Sequence, residues 1–415
     1  MRTKFIINKE SKLFYLIGIF STMTALSVKG VSFFYLLLLW AVLIRLFKGK
    51  IRFTPQRSRV FILLLLTLTV SMIISLFNNE LTILDPSWKY SNFKNWAVFF
   101  ILMGGITFLY SPNERKRLRE DFLQGLYISS IVQLIWGIVQ ALSWYVGKIS
   151  INELVFRDIL KINLDVNWTF TNAGMLRLSG ISWEPAYFSM TMVVGYLLSN
   201  RKIIKFLFIL LSIISTSRTG LVIMSVAIAM DAVLNKKNIT INQFCKVLFM
   251  FFVALIAFGI VLNINSSIKD IFVTSVDSLI NWKTTMSGRT HFHYILYIPD
   301  MIRQIPLGYL LFGYGHGASG FPYMIYHRKE FGTRIKAWSV ESDYVNALWG
   351  MGIIGLVLYY WFILKSYQLE NDIRIKKLIV CLLVGGVFYI YLGTWIIFLL
   401  VLGYDELNYN NKEMV

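Results

Sequence analysis

The sequence predicts an all-α fold: one polytopic bundle of eleven or twelve transmembrane helices over residues 1–415, with two long extracytoplasmic loops that contain short helices. Two observations support this fold class. Of the 415 residues, 56% are hydrophobic and only 15% are charged, whereas roughly 25% of the residues in an average soluble domain are charged. In addition, long apolar runs recur along most of the chain. A soluble fold this apolar could not cover its core with polar surface, so we expect an integral membrane protein.

The apolar runs define the predicted spans, because an α-helix needs about 20 residues to cross the hydrocarbon layer. A basic start before the first run is also typical of a signal peptide, but a second span follows directly, which favours an uncleaved first helix. The last run fits either one tilted helix or a short hairpin, so the side of the C-terminus stays open. In chain order the runs cover residues 13–29, 31–47, 60–77, 95–110, 122–145, 186–199, 206–217, 220–234, 247–264, 344–364 and 378–403.

Basic residues indicate the orientation of these spans. With the N-terminus inside, the short inside connectors hold 24 of the 41 lysines and arginines but only 6 of the 22 acids, the asymmetry that the positive-inside rule describes. The net charge of +19 is therefore explained by topology. Because no basic stripe with interleaved stacking aromatics is present, we expect no nucleic-acid partner. The inside connectors are residues 1–12, 45–59, 111–121, 199–205, 235–246 and 365–377.

Two long connectors lie on the predicted outer side, at residues 146–185 and 265–343. Long loops carry function more often than short ones, because packing does not require them. In the second loop, residues 266–280 place apolar side chains on one helical face. This pattern fits either a helix on the membrane surface or ordinary packing across the mouth of the bundle.

Residues that bind metals are scarce in this chain. The two cysteines, Cys245 and Cys381, lie in or beside apolar runs, so we expect neither a disulfide-rich exterior nor a cysteine metal site. The four histidines show no ligand spacing. The sequence therefore predicts no metal and no cofactor.

Arg218 is the strongest anomaly in the apolar pattern. It lies in the stretch 206–234, which only STSRTG (215–220) and Asp231 interrupt. Two helices are therefore expected to meet at Arg218, near the outer headgroups. A guanidinium at that depth costs on the order of several kcal/mol unless it faces a polar cavity or a partner, which favours a functional arginine over a structural pair with an acid such as Glu184. Asp231, near the inner end, is expected to snorkel.

The motif RLSGISWEPAYFSM (177–190) leads from the first long loop into a span. Pro185 fits the first helical turn, where its missing N–H costs nothing. Glu184, just before it, has two interpretations of equal weight: a cap on the positive end of the helix, or a site residue that orients an arginine. Arg177 begins the same motif.

The second long loop contains SGRTHFHYILYIPDMIRQIPLGYLLFGYGHG (287–317). Arg289, His291 and His293 lie close together ahead of an apolar segment. Loop histidines are usually solvated, so His291 and His293 are secondary candidates for the site. Arg289 is of more interest, because two other arginines are expected on the same side of the membrane.

This loop ends in the glycine-rich LFGYGHG (311–317), which predicts a turn, and the chain enters the next span through ESDYVNALWGMGIIGL (341–356). Glu341 and Asp343 are expected at the outer start of that helix. Helix capping is the ordinary interpretation of Asp343, and a site role is equally supported. Three glycines of this motif suit close helix packing: Gly350, Gly352 and Gly355.

Three arginines and two or three acids are thus expected on one face of the membrane. The planar fork of arginine stays charged and grips phosphate oxygens bidentately. A lipid pyrophosphate carries its phosphates at headgroup depth, and it becomes a good leaving group once its charge is neutralised. A carboxylate can take the proton from an acceptor hydroxyl. Because the outer face has no nucleotide supply, we expect an activated substrate such as a lipid-pyrophosphate-linked sugar.

The ordered motifs resemble those of the O-antigen and capsular polysaccharide polymerases and the related O-antigen ligases. The resemblance covers about residues 165–360, in which RLSGISWEPAYFS enters a span and STSRTG lies at the outer end of the next one. SGRT and PLGYLLFGYGHG follow in a large outer loop, and then ESDYVNALWGMGIIGL.

This resemblance implies a metal-independent glycosyltransferase of polysaccharide biosynthesis, located in the bacterial cytoplasmic membrane with its site facing outside. The enzyme would join oligosaccharide repeat units linked to undecaprenyl pyrophosphate into an O-antigen, a capsule or another surface glycan. A chain-length regulator and a flippase are the implied protein partners, and the lipid bilayer is the surrounding medium.

The resemblance also implies roles for single arginines. Arg218 and Arg289 match the pyrophosphate-binding arginines of the family, and Arg177 lies in the motif of the first long loop. Ligases place a catalytic histidine where this chain has ESDY, so a polymerase is favoured over a ligase.

The catalytic base stays open at this point between Glu341, Asp343 and a substrate-assisted route, with Glu184 as a further catalytic candidate. Two other classes of protein also remain. A flippase of lipid-linked oligosaccharide would be similarly apolar and basic, but with charges inside many spans and short outer loops. A solute transporter would carry acids or broken helices at the midplane, for which Asp231 alone is thin support.

Overall fold

The computed structural model describes residues 9–28, 31–49, 55–78, 87–161, 176–215, 217–234, 293–327, 340–390 and 394–406. This part of the chain is predominantly helical. Its only strands are the two-residue segments Ser27–Val28 (β1) and Val31–Ser32 (β2), which pair antiparallel. The helical fold class is confirmed.

The helices are connected mostly by short segments. In chain order they are α1 (Lys9–Ser21), α2 (Phe33–Phe47), α3 (Arg59–Leu76), α4 (Trp88–Leu109), α5 (Pro112–Gly147), α6 (Glu153–Ile159), α7 (Pro185–Leu198), α8 (Lys202–Ile214), α9 (Arg218–Leu234), α10 (His293–Leu296), α11 (Ile298–Gln304), α12 (Leu307–Phe312), α13 (Phe321–Tyr326), α14 (Asp343–Leu369), α15 (Ile373–Gly385) and α16 (Trp395–Gly403).

Four helices in the described part of the chain are long and apolar enough to cross a membrane: α3, α4, α5 and α14. Shorter apolar helices include α2 and α7. Large apolar side chains also cover the outside of the bundle, as expected of a surface that contacts lipid and not water. Examples are Trp40, Phe47, Leu66 and Phe77.

The two long predicted loops are described in part. Residues 148–161 and 176–184 belong to the first and include α6, whereas residues 293–327 belong to the second and include α10 to α13. The predicted span 247–264 and the predicted surface helix 266–280 lie outside the described residues. That both loops lie on one side of a membrane stays a prediction.

The longest helix, α5, has 36 residues and begins well before the span predicted at 122–145. The Ser111 N–H donates to the Glu114 carboxylate at 2.9 Å, and the Ser111 side chain accepts from the Glu114 N–H at 3.4 Å. This capping box, together with Pro112 in the first turn, fixes the start of the helix. The prediction followed hydropathy alone and therefore missed the polar first turns.

The first helix is shorter than predicted. α1 ends at Ser21, whereas the apolar run suggested a span to residue 29. The chain then turns into the β1–β2 pair, and the Ala25 N–H donates to the Ile181 carbonyl at 3.2 Å. The residues after α1 therefore pack against the segment that precedes α7, and this contact replaces the last helical turns.

The last apolar run forms a hairpin of α15 and α16 and not one tilted helix. Arg119, near the start of α5, pairs with Glu370 just before α15 at 2.6 Å. The Arg115 guanidinium donates to the Val401 carbonyl at 2.8 Å and to the Tyr404 carbonyl at 3.1 Å, at the end of α16. The start of α15 and the end of α16 therefore lie at the same end of the bundle, together with the last described residues.

α14 is not the continuous span predicted at 344–364, because it breaks at Gly352. This glycine has φ +71° and ψ −177°, a conformation essentially restricted to glycine. Asp343 and Tyr359 would lie about 24 Å apart in a straight helix, yet a 2.7 Å hydrogen bond joins them. The segment 343–351 therefore folds back on the rest of α14. Asp343 is the first residue of α14, as predicted, and it is fully buried; that this helix start faces outside stays a prediction.

The glycine-rich segment 311–317 packs against this break. The Tyr314 N–H donates to the Trp349 carbonyl at 2.7 Å, and the Gly315 N–H donates to the Gly350 carbonyl at 3.1 Å. The break leaves the carbonyl groups of Trp349 and Gly350 without helical partners, and these two N–H groups supply the missing hydrogen bonds. The predicted turn is confirmed. The predicted close helix packing is confirmed as well, because Gly352 lies against the backbone of Leu311 and Phe312 at the end of α12, and Gly355 lies close to Thr67 of α3.

Charged side chains pair at one end of the bundle, where α1, α3, α5 and α15 begin and α2, α9 and α16 end. We name it the basic end. Arg45 lies between Glu10 at 3.3 Å and Glu114 at 2.5 Å, and its side chain is almost completely buried. This ion cluster joins α1, α2 and α5.

A second ion cluster at the basic end surrounds Asp231. Its carboxylate accepts hydrogen bonds from Lys205 at 2.7 Å, Lys377 at 2.6 Å and the Tyr196 hydroxyl at 3.2 Å. Asp231 lies near the end of α9, as predicted, and pairs there with lysines of two other helices; its snorkelling stays a prediction. The cluster holds α7, α8, α9 and α15 together.

Candidate functional site

Glu184 lies at the end of the bundle opposite the basic end, immediately before α7. It occupies the N-cap position of that helix, yet its side chain makes no capping hydrogen bond. Instead, the hydroxyl group of Tyr389 donates a hydrogen bond to Oε1 of Glu184. Glu184 therefore occupies the cap position while its side chain contacts another element; its role in orienting an arginine stays a prediction.

Glu184 also lies within electrostatic reach of two other predicted site residues. Burial raises the pKa of Glu184 from 4.5 to about 7; the negative charge of Glu341 adds to the increase, and the positive charge of Arg177 opposes it. The structure thus brings Glu184, Glu341 and Arg177 together. A carboxyl group with a pKa near neutrality can both accept and release a proton at physiological pH, as general acid–base catalysis requires.

Polar side chains of α5 hold the segment 176–184, which carries two of these charged residues. Oε1 of Gln133 accepts from the Ile181 N–H at 2.8 Å, and Oε1 of Gln140 accepts from the Gly180 N–H at 3.0 Å. Gly180 has φ +57°, and a side chain there would collide with Gln133, so the motif requires glycine. The segment enters the bundle with these buried amide groups paired.

The broken helix α14 fixes the turn that carries Tyr389. The Asp343 N–H donates to the Gly386 carbonyl at 2.7 Å, and the Ser342 hydroxyl donates to the same carbonyl at 3.3 Å. Gly386 follows α15 directly and lies three residues before Tyr389 in the chain. Because Glu341 immediately precedes Ser342, the same contact explains how Glu341 comes near Glu184.

The side chain of Asp343 has a different environment from those of the other two predicted acids. Its Oδ2 accepts hydrogen bonds from Tyr359 at 2.7 Å and from Tyr360 at 3.4 Å. The carboxylate therefore connects the two parts of α14. Glu341 is exposed and its charge influences Glu184, whereas the Asp343 carboxylate contacts tyrosines inside the bundle.

The motif STSRTG (215–220) places Arg218 in the first turn of α9. Oγ of Ser217 accepts from the Gly220 N–H at 3.1 Å, the hydrogen bond of an N-cap. Gly220 packs so closely against Ser189 of α7 that no side chain would fit. α8 ends just before this motif, which confirms that two helices meet at Arg218. The position of its backbone is described; its side chain lies outside the described part.

A small cleft opens among the starts of α7, α9 and α16. The space of about 290 Å³ between its lining atoms includes open solvent, and the enclosed part is about the size of one water molecule. Tyr389 contributes to this cleft as well as to the hydrogen bond with Glu184, and Thr219 follows Arg218 directly. The lining is mostly apolar and consists of Ala186, Tyr187, Met190, Thr219, Tyr389, Thr394, Trp395 and Ile396.

Three helix N-termini therefore converge at the cleft. The free N–H groups at the start of a helix carry partial positive charge and attract anions. α7, α9 and α16 have 14, 17 and 9 residues, fewer than the about 20 that cross a bilayer. The arrangement offers a positive potential for an anion beside a half-buried carboxyl group.

Other predicted site residues cannot be placed at this cleft. Arg289 and His291 lie outside the described residues, and of His293 only the backbone is described, at the start of α10. Within the described ranges, no three His, Cys, Asp or Glu side chains are arranged to hold a metal ion. The groups that the described site does offer are carboxyl groups, arginine and helix N–H groups.

Sequence reasoning missed Tyr389 as a site residue. A signal for its position was present, because glycines 385 and 386 and the later Gly393–Thr394 pair interrupt the apolar run 378–403. Such interruptions indicate a helix break, and the break exposes the tyrosine between them. The partner of Tyr389 could not be read in the same way, since Glu184 lies 205 residues earlier in the chain.

Comparison with known proteins found no relative: no protein-family model matches the chain, and no curated protein matches it in sequence. The fold and the site define its class as a helical bundle with helices of membrane-spanning length and a small cleft near two acids and an arginine.

Proposed function

We propose that the chain is a polymerase that joins lipid-linked oligosaccharide repeat units at the outer face of a bacterial cytoplasmic membrane. Its substrates would be glycans linked to undecaprenyl pyrophosphate, and its product an O-antigen, a capsule or another surface polysaccharide. The observation that carries the proposal is the meeting of Glu184, Glu341 and Arg177 beside a cleft where three helices begin. The resemblance of the ordered sequence motifs supports the same function.

The pyrophosphate group of the donor lipid would bind at the helix starts. Arg218 belongs to the first turn of α9, and Arg177 lies close enough to Glu184 to affect its pKa. Arginine forks and helix N–H groups both bind phosphate oxygens. Together with Arg289 they would neutralise the charge that develops on the leaving pyrophosphate, which needs no metal ion.

Glu184 would act as the general base. Its carboxylate takes the proton from a hydroxyl group at the non-reducing end of the acceptor glycan, and the hydroxyl oxygen attacks the anomeric carbon of the donor glycan. The bond from that carbon to the pyrophosphate oxygen breaks, and undecaprenyl pyrophosphate leaves with the electron pair. The proton on Glu184 then returns to water, so the base is restored after each transfer.

A surface-glycan gel tests this function in cells that lack the gene. The cells are complemented with the wild type, Glu184→Gln, Arg218→Ala or Arg289→Ala, with protein levels checked. We expect a ladder of polymer lengths with the wild type, and single repeat units without a ladder with the empty vector and the three variants. Arg303→Ala and Glu153→Gln are matched controls, because both side chains are exposed, and both variants should restore the ladder.

The same gel separates polymerisation from transport. If single repeat units also disappear from the surface of the null strain, the defect lies in export and a flippase replaces the polymerase. If Glu184→Gln restores a full ladder, the base is assigned to the wrong residue. Purified protein with lipid-linked repeat units and a metal chelator provides the second test: continued ladder formation is expected, and loss of the ladder that added Mg²⁺ restores would contradict the metal-independent mechanism.

A further inference from the structure

The ring and the hydroxyl group of Tyr389 are held by different elements of the bundle. Its ring packs edge-to-face on that of Tyr187, with centroids 4.8 Å apart and planes at 89°. Its turn is attached to α14 through the Gly386 carbonyl. Its hydroxyl group donates to Oε1 of Glu184. The direction of this hydroxyl group is therefore set by the fold and not by local solvent.

We propose that Tyr389 is a positioning residue for Glu184, because its hydroxyl group holds Oε1 and directs the other carboxyl oxygen to the acceptor hydroxyl at the cleft. This inference rests on the proposed function. Among the described residues, Tyr389 is the hydrogen-bond donor that contacts the Glu184 carboxyl group. A carboxylate without this contact could rotate about its side-chain bonds, and fewer of its orientations would be productive.

The hydrogen bond has a second effect on Glu184. A donor stabilises the charged form of a carboxyl group, so Tyr389 acts in the same direction as Arg177 and against burial and the charge of Glu341. The charged and titratable groups that face Glu184 from the described elements around it are Arg177, Glu341, Tyr187 and Tyr389. Loss of the Tyr389 hydroxyl group should therefore leave Glu184 protonated up to a higher pH.

Carbodiimide labelling measures this effect without any assay of activity. Dicyclohexylcarbodiimide reacts with protonated carboxyl groups in apolar surroundings, and mass spectrometry of the full-length protein in detergent gives the modified fraction of Glu184 at each pH. The wild type should lose labelling with a midpoint at about pH 7. In Tyr389→Phe the midpoint should rise by about one pH unit, since a hydrogen bond to a charged group is lost.

Two further variants exclude a general loosening of the site. Tyr344→Phe removes a nearby hydroxyl group that donates to the Leu383 carbonyl at 2.8 Å but does not contact Glu184, so the midpoint should stay at the wild-type value. A protein with 3-fluorotyrosine at position 389 keeps the ring and has a stronger donor, so its midpoint should move to lower pH. If Tyr389→Phe does not fold, the midpoint of the 3-fluorotyrosine protein alone still tests the proposed role of Tyr389.

The outcomes separate this inference from the proposed function. A midpoint that is the same in the wild type, Tyr389→Phe and the 3-fluorotyrosine protein overturns the positioning role. Shifted midpoints support it, and the pH profile of ladder formation in Tyr389→Phe should move to higher pH by the same amount. If the purified wild type forms no polymer from lipid-linked repeat units, the proposed function fails, whereas the labelling result still decides whether Tyr389 controls Glu184.

Discussion

The two ends of the bundle place their acids in opposite environments. At the basic end, Glu10, Glu114 and Glu370 each contact an arginine within 3.3 Å. At the cleft, Glu184 accepts a hydrogen bond from a neutral tyrosine and lies near a second acid, Glu341. A paired buried acid holds helices together, and a half-buried acid near a like charge holds its proton up to a higher pH.

The two environments indicate how one bundle can hold a carboxyl group with a raised pKa at the cleft end. The ion clusters at the basic end connect nearly every helix that reaches the cleft, including α7, α9 and α15. The cleft end can then hold a poorly neutralised carboxyl group, because the ion clusters and the packed helices offset the free energy that this carboxyl group costs the fold. Substitutions at the cleft end should therefore reduce activity, whereas substitutions at the basic end should reduce stability.

The largest expected effect is on activity at the cleft end. Glu184→Gln should reduce ladder formation by about 100- to 10,000-fold, the usual contribution of a general base, because glutamine cannot take the acceptor proton. The rate of polymer formation by purified protein measures this. Its thermal melting midpoint in detergent should not fall. A variant that loses activity only because it unfolds would contradict the base assignment.

The next effect is on stability at the basic end. Arg119→Met leaves Glu370 buried without its partner and should lower the free energy of unfolding by about 3–5 kcal/mol. The melting midpoint in detergent should drop, while activity per folded molecule is retained. The double variant Arg119→Met, Glu370→Leu should recover most of the loss, since no unpaired charge remains. A double variant as unstable as the single one would show that the ion pair is not the cause.

A smaller loss of stability is expected at the break in α14. Gly352→Ala places a side chain at φ +71°, which costs about 1–3 kcal/mol for the backbone alone, and the added carbon would meet the backbone of Leu311. The melting midpoint is the measurement. Gly308→Ala is the matched control, because it lies in α12 with open space around it and should melt like the wild type.

The smallest expected effect is a pH dependence that arises from Glu184. Because a base must be charged to act, activity should rise with pH, level off above about pH 7 and fall about tenfold per pH unit below that value.

The contribution of Glu184 to the stability of the fold should change with pH in the opposite direction. The pKa is higher in the folded protein, so this contribution is present below about pH 4.5 and is lost as the pH rises to about 7. The difference in melting midpoint between the wild type and Glu184→Gln should show it.

The sequence was a good guide to features that depend on local composition. Apolar runs located most helices, and Arg218 marked a meeting of two helices because a guanidinium is too costly inside one. Local composition did not reveal the break at Gly352, since glycine is also common in unbroken membrane helices. Nor did it give the partners of Asp231 or Glu184, which come from helices that only the folded chain brings together.

The short helix α16 has a consequence for the permeability of a membrane around this protein. Its nine residues span about 14 Å, less than half of the roughly 30 Å of a hydrocarbon layer, so the barrier between the cleft floor and the basic end is thin. Phe398, within one turn of that floor, contacts the buried rings of Phe14, Phe34 and Phe122. These four buried rings make that part of the bundle apolar, so an ion that crossed it would lose its hydration without a replacement.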